Sequence, residues 1–253
     1  MTATRLTVLF ASTVFAGSGL PGQVLVGWDL NGVDLDEGTL TGPSYTLAAG
    51  TTATHASGEL TLSSSVSPST GSGDYGFTVS GGDAGAAATL ATAISNGHFL
   101  QFTVTAAEGY ELSVTSITFN GESSSTGADN LALLSSVDGF NDSSVIAQVT
   151  GKAGITGGFD TDASGFGSSI TLSGMKFAGL SAVTFRIYGW NISSGLGKTA
   201  LRNLSNDDLE VLGTVAASAV PEPAAFGVFA GLAILGFAVS SRRAIHATHL
   251  IAA

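Results

Sequence analysis

Hydrophobic and polar positions alternate in short runs through the middle of this chain. Leu100, Phe102 and Val104 alternate with Gln101, Thr103 and Thr105, and Val183, Phe185 and Ile187 alternate with Thr184, Arg186 and Tyr188. A period of two sends successive side chains to opposite faces, so each run predicts a strand with one face against a core. Leu112 and Val114 share one parity and Ile117 and Phe119 the other. That switch predicts a bulge near Thr115 and Ser116, because a one-residue shift exchanges faces. Leu131 and Leu133 continue the pattern, Tyr75 to Val79 is a further strand, and Trp28 sits in an apolar first strand as a core residue. Turn clusters separate the runs: Gly71 to Gly76, Gly81 to Asp83, Asn120 and Gly121, Gly157 and Gly158, and Ser193 to Gly197. Ala84 to Ser95, rich in Ala and without Pro, is the one predicted helix. Short strands at this spacing predict an all-β fold, an antiparallel β-sandwich or jelly roll.

The pattern changes at both ends. Ala224 to Ser241 is eighteen residues without a charge, followed by Arg242 and Arg243. As a helix it would rise about 27 Å, close to the thickness of a bilayer's hydrocarbon core. Two arginines directly after it predict a cytoplasmic end, which places the body outside the cell. At the other end, Arg5 is the only charge before Asp29, Leu6 to Ala16 is mostly apolar, and Gly17, Ser18, Gly19 and Pro21 follow. A basic start, a short apolar stretch and small residues describe a secretory signal peptide, cut between Gly19 and Val24. The expected organisation is a signal peptide over 1–23, a sandwich over 24–213 and a linker over 214–223. A transmembrane helix over 224–241 and a basic tail over 242–253 complete it.

Charge narrows the partners. Between Val24 and Ser218 lie five basic residues, Lys152, Lys176, Arg186, Lys198 and Arg202, against eighteen acidic ones, a net charge of −13. Such a surface repels phosphate backbones and anionic lipid, so nucleic acid is not an expected partner. The chain has no cysteine. An exported domain without disulfides relies on core packing or on a metal ion.

Few residues carry recognisable chemistry. Asp160, Asp162 and Ser164 precede Gly165 and place oxygen atoms at positions 1, 3 and 5 of a tight loop that can wrap Ca²⁺. Position 12 is Thr171 rather than a bidentate Glu, so a carboxylate such as Asp207 or Asp208 would have to come from elsewhere. A polar turn between strands is the more common use of such residues. Asp34, Asp36 and Glu37 form a second acidic loop with the same two readings. Gly71 to Gly76 fits G-x-G-x-x-G, but a strand follows it where a dinucleotide loop needs a helix. His55 and His98 lack neighbouring ligands at metal spacing and read as ordinary loop histidines. Glu108 and Glu111 flank a turn and read as solvated acids rather than a glycosidase pair. Arg186, Tyr188 and Trp190 share one strand face, so an open face there would form an aromatic platform with a donor, suited to a glycan. The competing reading has the two rings covering a sandwich edge and Arg186 paired with an acid.

Val220, Pro221, Glu222 and Pro223, then the apolar span, then Arg242 and Arg243, resemble the PEP-CTERM sorting signal of Gram-negative envelope proteins. The resemblance implies processing near Pro221–Pro223 by an exosortase-type membrane protease. It also implies passage from the inner membrane to the cell surface or extracellular matrix. The tail from Ala244 to Ala253 is longer and more apolar than that pattern. The segments Phe99 to Val104, Ser136 to Phe140, Phe185 to Trp190 and Asp208 to Gly213 resemble, in order, jelly-roll domains found ahead of such tails, with Asn203 to Asp207 as an insertion. That likeness carries no activity. The expected function is a structural or adhesive surface protein without catalysis or a required cofactor. The alternative is a carbohydrate-binding module, stabilised by calcium and directed at exopolysaccharide.

Overall fold

The computed structural model describes residues 22–29, 46–48, 51–52, 54–68, 75–78, 88–119, 121–124, 126–151, 170–172, 174–193, 197–201 and 208–218. Contacts divide the chain into Met1–Ala216 and Ala217–Ala253, and all but the last two described residues belong to the first unit. The strands in chain order are β1 (Gln23–Trp28), β2 (Thr46–Ala48), β3 (Thr51–Thr52), β4 (Ala56–Leu62), β5 (Ser67–Pro68) and β6 (Tyr75–Thr78). The one α-helix among the described residues, α1 (Leu90–Asn96), precedes β7 (Phe99–Ala106), β8 (Tyr110–Phe119), β9 (Gly121–Ser123), β10 (Ala128–Ser135) and β11 (Ala147–Thr150). The last four are β12 (Ile170–Thr171), β13 (Ala182–Ile192), β14 (Lys198–Leu201) and β15 (Leu209–Ala217).

These strands form three sheets, ordered β12-β8-β15-β1-β3, β11-β10-β13-β7-β4-β2 and β5-β6-β14-β9. Every pair with a defined register is antiparallel. The five- and six-stranded sheets pack face to face. Leu25, Trp28, Leu112, Ile117, Leu209 and Val211 of the first meet Leu60, Phe102, Val104, Leu133, Phe185 and Ile187 of the second in one buried cluster. Trp28 reaches across to Phe102, ring centroids 6.1 Å apart and nearly edge-on, and Phe102 stacks on Phe185 at 5.3 Å. The chain is therefore mostly β, with antiparallel sheets packed as a sandwich. Trp28 lies in the core.

Local irregularities follow the parity of the sequence. A bulge in β1 between Val24 and Val26 turns both Leu25 and Val26 inward. In β8, Leu112 and Val114 lie in the core on one side of Thr115 and Ser116, and Ile117 and Phe119 on the other. The strand thus changes face across that pair, as the spacing predicts. Gly58 faces β1; a Cβ there would meet Val26 Cγ1 and come within 2.8 Å of Trp28 Cζ2. The bare backbone at this point is what lets the indole lie between the sheets.

The predicted helix needs correction. It starts at Leu90 and ends at Asn96, with residues 84–87 outside the described set. Thr89 is its N-cap: its hydroxyl accepts from Thr92 N, and the Thr92 hydroxyl accepts from Thr89 N. This reciprocal pair satisfies two backbone donors and stops the helix from extending backwards. Gly97 (φ 72) closes the other end, where His98 N donates to Ala93 O at 3.0 Å.

Candidate functional site

β13 is buried on both faces, and its outer face collects the unusual chemistry. Val183, Phe185 and Ile187 point into the sandwich. Arg186, Tyr188 and Trp190 take the opposite face, as alternation requires. Their register partners are Gln101 and Leu134 for Arg186, Phe99 and Ala132 for Tyr188, and Asn130 for Trp190. The helix and the segment after β10 cover this face. Ala93, Ala132, Leu134, Tyr188 and Trp190 form a second buried cluster, with Leu90, Ile94, Phe99, Phe140 and Val145 packed against it.

This covering corrects the expectation of an aromatic glycan platform. Tyr188 is 0% exposed and Trp190 6% exposed, so neither ring face is open to stack on a sugar. Each such ring buries about 150–250 Å². At roughly 25 cal/mol per Å² that favours covering the rings by about 4–6 kcal/mol apiece, as an upper bound. The sequence held a signal for this: Leu90, Ala93 and Ile94 recur at i, i+3 and i+4 and give the short helix one apolar face.

Arg186 remains half-buried at the edge of the cluster. Its guanidinium lies between two rings, 4.1 Å from the centroid of Phe99 and 3.9 Å from that of Phe140. Nε donates to Gln101 Oε1 at 2.8 Å, and Nη1 donates to Tyr188 OH at 3.3 Å. Among the described residues no carboxylate lies within ion-pair distance of it, so the expected acid partner is replaced by two rings, an amide and a phenol. Burial pushes the Tyr188 hydroxyl above its ordinary range, while the hydrogen bond and the charge of Arg186 pull the other way. Phe99 meets Tyr188 edge-on at 5.2 Å.

Phe140 owes its position to a tight turn. Ser136–Asp138 is one 3₁₀ turn, Gly139 follows at φ 64, and Phe140 takes φ 55. Phe140 N donates to Ser135 O at 2.9 Å. The turn is tied down by Lys176 Nζ, 2.7 Å from Asp138 Oδ2. Gln101, Phe99 and Phe140 were not singled out by composition. Only the register across β7 and β13 brings the first two to Arg186.

The remaining candidates disperse. Glu108 is exposed beside Gly109 (φ 80) in the turn between β7 and β8, and Glu111 is half-buried in β8. His55, exposed, stacks on Tyr110 at 3.9 Å, and His98 is buried at 1% exposure. Asp208 is buried, and its N–H donates to Trp28 O at 2.8 Å. Among the described residues no three His, Cys, Asp or Glu side chains are placed to hold a metal ion. Asp160, Asp162 and Ser164, Asp34, Asp36 and Glu37, and Asp207 lie outside the described residues. So do Val220, Pro221, Glu222, Pro223, Arg242, Arg243 and the apolar spans at both ends. Among the described residues no helix is long and apolar enough to cross a membrane.

No protein-family model, no curated protein and no solved structure matches this chain.

Proposed function

We infer that this is an exported protein of the Gram-negative envelope, carried to the cell surface or matrix by a PEP-CTERM signal, where its role is structural or adhesive rather than catalytic. The observation that carries the inference is the order of parts at the C-terminus: Val220, Pro221, Glu222, Pro223, eighteen uncharged residues, then Arg242 and Arg243. The sandwich supplies a suitable cargo. Its last strand ends at Ala217, three residues before Val220. Proline at 221 and 223 disfavours a helix at those positions, which suits recognition by an exosortase-type protease. The finer fold assignment, a jelly roll, belongs to the same proposal. It is supported by the order of the four segments from Phe99 to Gly213 and by the pairing of β7 with β13. The carbohydrate-binding alternative loses its main support, since Tyr188 and Trp190 are covered.

Fractionation of cells expressing the full chain tests the proposal. The protein is expected in the membrane and then in the surface or medium fraction, and Pro221→Ala with Glu222→Ala is expected to hold it in the membrane. Recovery of the intact chain from the cytosol would overturn the proposal.

A further inference from the structure

We propose that Arg186, clamped between Phe99 and Phe140, is a binding site for a carboxylate group. The proposal stands on the described residues and is independent of the sorting signal.

A partly buried cation needs compensation, because desolvating a charge is costly unless it is paired. Among the described residues the partners of this guanidinium are all neutral: Gln101, Tyr188 and the faces of Phe99 and Phe140. Gln101 takes the Nε donor and Tyr188 one donor of Nη1. Nη2 has no partner among the described residues. Its N–H groups are charged donors, and a carboxylate oxygen is the acceptor that suits them. The rings close both faces of the guanidinium, so a ligand must approach in its plane. Gln101 and Tyr188 fix the rotation of the fork in advance, which lowers the ordering cost of binding.

Phe140 adds an independent sign. A phenylalanine at φ 55 is uncommon and costs backbone energy. Strained positions of this sort concentrate at ligand clamps, and the ring centroid of this residue lies 3.9 Å from Arg186 Cζ. The net charge of the chain opposes an anion, but over distance that repulsion is screened within about 8 Å at physiological salt. On the same turn, Asp138 is paired with Lys176, and Asp142 is exposed to solvent. The short-range fork therefore decides. The shared chemistry is a single carboxylate, supplied either by a free organic acid or by a uronic-acid residue of a sugar polymer.

The test uses the full chain in detergent micelles, with arginine nitrogen labelled for NMR. The sequence has five arginines: Arg5, Arg186, Arg202, Arg242 and Arg243. The Arg186 Nε–H signal is identified by its loss in Arg186→Lys. Acetate, galacturonate, oligogalacturonate, galacturonate methyl ester and sodium chloride are titrated at matched ionic strength. The Arg186 signal is expected to move saturably with the free carboxylates, with a midpoint on the order of a millimolar, and to stay in place with the ester. A midpoint at least tenfold lower for oligogalacturonate than for acetate assigns the polymer as the source; equal midpoints assign a free acid. An Arg186 signal that stays still, or one that chloride or the methyl ester moves equally, would overturn the site. Since the readout is on the unaltered protein, a variant that fails to fold does not decide the outcome.

Discussion

At the scale of single residues, the two tryptophans show what a sequence reveals and what it hides. Trp28 lies in an apolar strand, and the structure places it between the sheets against Phe102. Trp190 lies in a strand that also alternates cleanly, and alternation gives its face without saying whether that face is open. A second layer decides that, and the layer comes from a helix nearly a hundred residues earlier in the chain. The same layer sets the chemistry of Tyr188. Its burial raises the folded-state pKa of the phenol above the unfolded value. The sign follows: the stability linked to this group is fully present below the ordinary tyrosine range and is lost as pH rises through the folded pKa. Ultraviolet titration should therefore show Tyr188 ionising late, together with loss of folded signal. Tyr188→Phe should remove that late step. If Tyr188→Phe leaves the titration curve unchanged, Tyr188 is not covered as described.

At the scale of elements, the long strands were legible and the short ones were not. β7 and β13 carry enough alternating positions to declare themselves. β3, β5 and β12 have two residues each, too few for any period, and they exist because neighbouring strands offer free backbone groups. Of the four-stranded sheet β5-β6-β14-β9, only β6 was legible, as the run from Tyr75 to Val79, because its partners are four residues or fewer. The helix was found, but its limits were set by Thr89 and Gly97 rather than by alanine content. With seven residues it is too short to persist alone in water. Packing of Leu90, Ala93 and Ile94 on Tyr188 and Trp190 must hold it. Trp190→Ala should cost about 3–5 kcal/mol and should speed amide exchange in α1 beyond the effect on β8. Thr89→Ala should cost about 1 kcal/mol through the lost cap. Chemical denaturation with hydrogen exchange checks both, and unchanged exchange in α1 after Trp190→Ala would contradict this support.

At the scale of the whole molecule, fold class followed from composition and period, because a cysteine-free chain of short alternating runs has few ways to bury apolar surface other than sheet on sheet. Sheet order was not legible. β15, last in the sequence, lies between β8 and β1 in the five-stranded sheet, and no local pattern encodes such a long-range pairing. Gln23 pairs with Gly213, so the first and last strands of the sandwich are neighbours. The charge pattern has a molecular consequence as well, since a net charge of −13 between Val24 and Ser218 repels other anions at low salt. The central claim is that the apolar spans at both ends are delivery signals, and it makes a definite statement about covalent structure. Mass spectrometry of the mature protein from the surface or medium fraction tests it most directly. The account predicts an N-terminus between Gly19 and Val24 and a C-terminus near Pro221–Pro223; a mature chain that retains both Met1 and Ala253 would contradict it.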